Sequence, residues 1–145
     1  MDEIKVKISE YLTAYHYLRL GTVTVDSTPQ VHTVGYVSEA CTVFFITDNK
    51  SRKAQNISAN PAVAYAVDEN YKDIWSIKGV QMEGRASLIT IETEAMRVLR
   101  LMSQKFPDLE KMPENPDLVI FKVKPLRGYF LDNTVAFGHR DKVEF

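Results

Sequence analysis

Polar and apolar positions change period several times along this chain, and each change marks a new element. Ile4, Ile8, Tyr11, Leu12 and Tyr15 recur at i, i+4, i+7, i+8 and i+11, which lines them up on one face of a helix. Residues 18–25 and 30–37 are rich in β-branched side chains and flank Asp26-Ser27-Thr28-Pro29. That pattern predicts a hairpin, with Pro29 presetting a turn dihedral and Asp26 bonding to nearby backbone. Residues 42–47 carry Val43-Phe44-Phe45-Ile46, apolar on both faces as in a buried central strand. Asp48-Asn49-Lys50-Ser51 then offers N-cap side chains to a short helix over residues 52–58, which Asn60-Pro61 stops. A strand over 62–67 follows, with Val63, Tyr65 and Val67 on one face and alanines on the other.

Residues 74–89 alternate for an unusually long stretch, with Val80, Met82, Ala86 and Leu88 on one side. Gly79 and Gly84 interrupt it, and glycine inside a strand marks a bulge or bend that lets a sheet curl. Thr90 or Thr93 then caps a second helix, whose stripe is Ala95, Val98, Leu99, Met102 and Phe106 and which ends at Pro107. Residues 118–123 read as a strand, Pro125-Leu126-Arg127-Gly128 as a turn, and Tyr129-Phe130-Leu131 as a last strand. The tail 132–145 receives no assignment. Strands with few crossover helices imply an antiparallel α+β domain with a barrel core, one domain over residues 1–145.

Composition narrows the partners. Eighteen basic and nineteen acidic residues leave a net charge of -1, so no global field draws the chain to nucleic acid or to an anionic membrane. No apolar run approaches the length of a membrane span, and the first twenty residues alternate too often for a secretory leader, so the expectation is a cytoplasmic protein. Cys41 is the one cysteine and suits a reducing compartment; it reads as a packed residue. His16 and His139 stand alone, and no metal-ligand spacing or nucleophile elbow is present, so no metal site is expected.

The segment from Ile46-Thr47 to Ser51-Arg52-Lys53 carries the most chemistry. The first amides of a helix lack intrahelical acceptors and its dipole favours an anion, so a monophosphate there meets amide donors, a hydroxyl and two cations. The bland alternative is a capped surface helix with solvated cations. His32-Thr33-Val34-Gly35-Tyr36 is the second candidate, since a glycine in a β-rich run lets a planar ligand approach the backbone; a simple bulge with a satisfied His32 is the alternative. Gln81 offers both a donor and an acceptor, suited to the edge of a flavin ring. Trp75 is either a flank for a flat ring or, as a tryptophan more often is, a core or interface anchor.

Taken in order, five segments resemble the pyridoxamine 5'-phosphate oxidase-like family of flavin-binding split barrels. They are Gly21-Thr22-Val23-Thr24-Val25-Asp26; Val31 to Tyr36; Phe44-Phe45-Ile46-Thr47 leading through Ser51-Arg52-Lys53-Ala54-Gln55-Asn56 to Asn60-Pro61; Lys78 to Ala86; and Lys105-Phe106-Pro107. The resemblance implies a six-stranded split β-barrel, a homodimer, and flavin mononucleotide (FMN) held at the dimer interface. It implies that His32 to Tyr36 and Ile46-Thr47 border the ring and ribityl chain, mostly through backbone groups, that Ser51, Arg52 and Lys53 hold the phosphate, and that Gln81 nears the ring edge. It further implies that a neighbouring chain can bring Trp75 or tail residues across.

The arginine-rich ending with which the true oxidases bind their vitamin substrate is missing here, which removes the basis for that particular reaction. What remains is a flavin-dependent oxidoreductase acting on a small molecule, with His32 as the candidate acid or base. A protein that binds flavin, haem or a deazaflavin without turnover, or a stress-related dimer, is the alternative.

Overall fold

The computed structural model describes residues 2–145. Helix α1 (Glu3–Ala14) starts at Asp2, whose carboxylate accepts from the Ile4 amide at 2.8 Å, and its apolar stripe buries Ile8, Tyr11 and Leu12. Next come β1 (Tyr17–Val23), β2 (Pro29–Gly35), β3 (Val37–Glu39), β4 (Thr42–Asp48), α2 (Arg52–Ala59), β5 (Ala62–Asp68) and, after a 3-10 turn at Ile74–Ser76, β6 (Lys78–Leu88). Helix α3 (Glu92–Lys105), a second 3-10 turn at Pro107–Lys111, β7 (Leu118–Asp132) and β8 (Arg140–Glu144) complete the chain.

All strand pairings are antiparallel, in the order β2-β1-β5-β6-β7-β4-β3 with β8 paired to β7. Strands β2 and β3 stand at opposite ends of that order, yet only Tyr36 separates them in sequence. A flat sheet cannot satisfy both facts, so the sheet curls until its two ends meet at Tyr36. This is the split barrel. Its six long strands agree with the six-stranded barrel that the resemblance implies, and the short β3 and β8 are added at the rims.

Tyr36 is fully buried at the meeting point, and its hydroxyl donates to the Leu12 carbonyl at 2.6 Å, tying the seam to α1. Inside lie Leu18, Leu20, Val43, Phe45, Val67, Val80 and Met82, with the Phe45 and Phe121 rings stacked 5.4 Å apart. A second, smaller core of Val37, Phe44, Val98 and Met102 holds α3 against the outside of β3 and β4. Strand β4 is therefore apolar on both faces because each meets a different core.

Several local expectations change. The hairpin turn rests on Ser27, at φ 64, and on the Thr28 amide donating to Thr24 Oγ1 at 3.0 Å; Pro29 already belongs to β2. Helix α3 begins after Ile91 with no side-chain cap, and Leu99 faces solvent. Residues 125–128 do not reverse the chain. Glu83 pairs with Arg127 and Gly84 with Pro125, so Leu126 is an extra residue in a continuous β7, a bulge that bends the strand. Part of the unassigned tail is β8.

Candidate functional site

The barrel remains open along one line. Strand β2 pairs only with β1, and β4 pairs with β3 only through residues 42–44, so the facing edges of β2 and of residues 45–48 lack strand partners across the gap. Extending the β3–β4 register through Tyr36 sets Gly35 level with Ile46. Helix α2 begins at one end of this split, and the Pro107–Lys111 turn lies at the other.

At the α2 end, Ser51 is the N-cap and accepts from the Ala54 amide at 3.3 Å, while Thr47 Oγ1 donates to Ser51 Oγ at 3.0 Å. Arg52 is exposed and Lys53 half-buried. Neither has an ion-pair partner among the described residues. Burial and then the Arg52 charge hold the Lys53 ammonium below its ordinary pKa. Two uncompensated cations in one turn, one of them partly desolvated, repel each other and favour an anion.

Beneath that turn lies a buried polar cluster that periodicity does not reveal. Asn56 Nδ2 donates to Thr22 Oγ1 and to Gln30 Oε1, both at 2.9 Å, and Thr22 Oγ1 lies 2.8 Å from His32 Nε2. Thr22 is 1% exposed, His32 8% and Asn56 9%. The cluster fixes α2 to β1 and β2. The cue for it in the sequence is an asparagine on the apolar side of a short helix, paired with an inward threonine on β1. Burial lowers the His32 pKa, and Lys53 and Arg52 lower it further.

At the other end an apolar cavity of about 630 Å³ opens among Tyr17, Gly35, Ile46, Phe106, Met112 and Leu118. Phe106 packs edge-on against His16 and Tyr17, with centroids 5.6 and 6.0 Å away. A Cβ on Gly35 would stand 3.1 Å from the Phe106 ring, so glycine is what lets that ring lie against the strand. Beside it Lys105 Nζ sits 3.9 Å from the centroid of the Tyr36 ring, and burial lowers its pKa to about 8.

The candidates therefore separate. Ser51, Arg52, Lys53 and Thr47 come together at the start of α2, and Gly35 and Ile46 meet at the cavity. In β2 the alternation divides the run: Thr33 faces outward, whereas His32 and Val34 point into the barrel and Tyr36 is locked in the seam. Along the split this run therefore offers its unpaired backbone edge rather than these side chains, and the Nε2 of His32 is engaged by Thr22. Gln81 lies on the outer face of β6, three strands from Thr33, or roughly 14 Å at the usual strand spacing. Within one chain it does not reach the split. Trp75 is exposed on the 3-10 turn.

A curled antiparallel sheet with an anion-ready helix start at its split defines the class, the split barrel. The family model described as pyridoxamine 5'-phosphate oxidase matches residues 4–132, and the chain belongs to that family. It is 29% identical over 97 residues to the UPF0306 protein YhbP of Escherichia coli O157:H7, a stretch covering 67% of this chain and 63% of that relative. The chain thus matches less than two thirds of the length of that curated relative. Among solved structures, HutZ, the haem storage protein of Vibrio cholerae, superposes with TM-score 0.71 at 23% identity over 85% of this chain and 89% of its own. General Stress Protein 26 of Bacillus anthracis superposes with TM-score 0.73 at 22% identity over 99% and 100% of the two chains. No helix among the described residues is long and apolar enough to cross a membrane.

Proposed function

We propose that this protein binds FMN along the split, as a homodimer, and serves as a flavin-dependent oxidoreductase for a small molecule. One observation carries the reading: Arg52 and Lys53, without counter-ions, crowd the first turn of a helix whose cap is Ser51. From there the split leads to an apolar cavity of about 630 Å³ at Gly35 and Ile46. The donor set fits a monophosphate, and the cavity fits a planar, largely apolar ring. When bound, the flavin supplies the electron transfer; the chain's own residues neutralise the phosphate, orient the ring and exclude water.

Titration with FMN, followed by ring absorbance, tests the reading. Arg52→Ala with Lys53→Ala removes most affinity, because charge-assisted bonds contribute about 1.5–3 kcal/mol each. Stoichiometric FMN retained by the double variant would overturn the clamp.

A second reading, haem in place of flavin, draws on HutZ being a haem storage protein and on exposed His16, whose ring meets edge-on the Phe106 ring that lines the cavity. It predicts a Soret band on titration with haemin that weakens in His16→Ala. The flavin reading predicts no such dependence on His16.

A further inference from the structure

The last residue of α3, Lys105, lays its ammonium on the face of the Tyr36 ring, 3.9 Å from the centroid. It has no carboxylate partner among the described residues, whereas Lys50, Lys111, Lys122 and Lys142 each have one. Tyr36 is buried and tied to the Leu12 carbonyl, so the platform beneath the amine is fixed.

The amine also borders a cleft. A space of about 280 Å³ opens between the end of α1, β3 and α3, with Val37 and Leu101 as apolar walls and Thr13, Ser38, Gln104 and Lys105 around them. That size lies at the small end of ligand sites. The cleft shares no lining residue with the Gly35–Ile46 cavity.

An ammonium half out of water and without a counter-charge is less stable relative to the free amine, and burial alone brings the Lys105 pKa down to about 8. The groups around it do not restore the charge. Tyr36 faces it from the seam, α1 contributes Thr13 and β3 contributes Ser38. Glu39, the one carboxylate of β3, is held by Arg97 at 2.9 Å; Glu10 of α1 lines a different cavity, Asp108 pairs with Lys111, and His16 packs against Phe106. At pH 7 about a tenth of such an amine is neutral, against less than about a thousandth for an ordinary lysine.

A neutral amine in a small apolar cleft is a nucleophile for carbonyl carbon. Attack on an aldehyde forms the C–N bond of a carbinolamine. Its hydroxyl then leaves as water with a proton from solvent, and C=N replaces C=O with no change of oxidation state. The Ser38 hydroxyl and the Gln104 amide edge the cleft and offer donors to the departing oxygen. The resulting iminium keeps one positive charge where the ammonium was, over the electron-rich face of Tyr36. Lys53 is half-buried too, but the Arg52 charge beside it disfavours a second fixed cation.

We propose that Lys105 is a carbonyl-capturing amine and that the cleft between α1, β3 and α3 takes small apolar aldehydes, held as an imine on Nζ. The proposal does not depend on the flavin reading.

The test is reductive trapping of butanal on the full chain with cyanoborohydride, followed by peptide mapping of each lysine between pH 6 and pH 9.5. The α-amino group reacts in the same range and is counted separately. Lys105 should be alkylated at least 10-fold faster at pH 7 than any other lysine, with a rate that is half-maximal near pH 8 while surface lysines are still climbing at pH 9.5. Lys105→Arg keeps a cation over the ring, so the fold persists, which thermal unfolding verifies; this variant should lose the fast lysine adduct entirely. Butanal should outpace glyoxylate at Lys105, because Val37 and Leu101 favour an apolar chain. Alkylation spread evenly over the lysines, or concentrated on Lys53, would overturn the proposal. A rate at Lys105 that still climbs at pH 9.5 would overturn it as well, and glyoxylate reacting as fast as butanal would overturn the assignment of the cleft to apolar aldehydes.

Discussion

Thr22 Oγ1 accepts from Asn56 Nδ2 and lies 2.8 Å from His32 Nε2. The neutral imidazole with its proton on Nδ1 lets the Thr22 hydroxyl donate to Nε2, which uses the one proton of Thr22 as well as its oxygen. Protonating His32 would strand a donor in the cluster and add a third positive charge near Arg52 and Lys53. The sign of the pH effect follows. A histidine whose folded pKa is depressed contributes stability that is complete above the ordinary value near 6.5 and is lost as pH falls through that value toward the folded one. Unfolding midpoints should therefore fall between pH 7 and pH 5 in the native chain, and the slope should flatten in His32→Gln. Inorganic phosphate neutralises the two cations, so it should raise the His32 midpoint measured by NMR. An unmoved midpoint would show that phosphate settles elsewhere. Asn56→Ala removes the two hydrogen bonds that tie α2 to Thr22 and Gln30 and should cost about 1–3 kcal/mol, read by denaturant unfolding.

At the scale of elements, periodicity reveals what local pattern governs and misses what pairing decides. Helix α1, the strand β4 between two cores, the Ser51 cap and the close of α2 at Asn60-Pro61 follow from side-chain spacing alone. The single long β7 does not, because Pro125 and Gly128 have turn chemistry and only pairing with β6 absorbs Leu126 as a bulge. Helix α3 keeps Leu99 at its surface because the second core ends at Val98 and Met102, and no sequence window records where a core ends. The candidate site divides the same way. Ser51, Arg52 and Lys53 are neighbours in sequence and legible, whereas Thr22 and Asn56 are 34 residues apart and meet only in the fold. The bulge makes a firm prediction. A Cβ on Gly84 would lie 2.5 Å from the Lys124 carbonyl oxygen, so Gly84→Ala must push β7 away from β6 and should cost about 1–3 kcal/mol. A melting temperature equal to that of the native chain would mean the bulge yields freely.

For the whole molecule, the same two charges act in opposite directions in the free and liganded states. In the free protein Arg52 and Lys53 repel each other and burial holds Lys53 below its ordinary pKa, so the first turn of α2 carries an electrostatic cost that no ion pair among the described residues offsets. Their replacement should leave the free protein as stable as before or slightly more so, since the packing of Ala54 and Ile57 against the barrel is untouched. An anion that binds only the folded state adds RT ln(1 + [L]/Kd), about 2.7 kcal/mol at a hundredfold excess over Kd, so FMN should raise the melting temperature of the native chain and not that of Arg52→Ala with Lys53→Ala. The shift should shrink as salt screens the two charges, which separates phosphate capture from simple filling of the apolar cavity. If the double variant melts well below the native chain without ligand, the cations support the fold itself, and the start of α2 is a structural corner. If it melts at the native temperature but no longer responds to FMN, the uncompensated charge exists for the ligand.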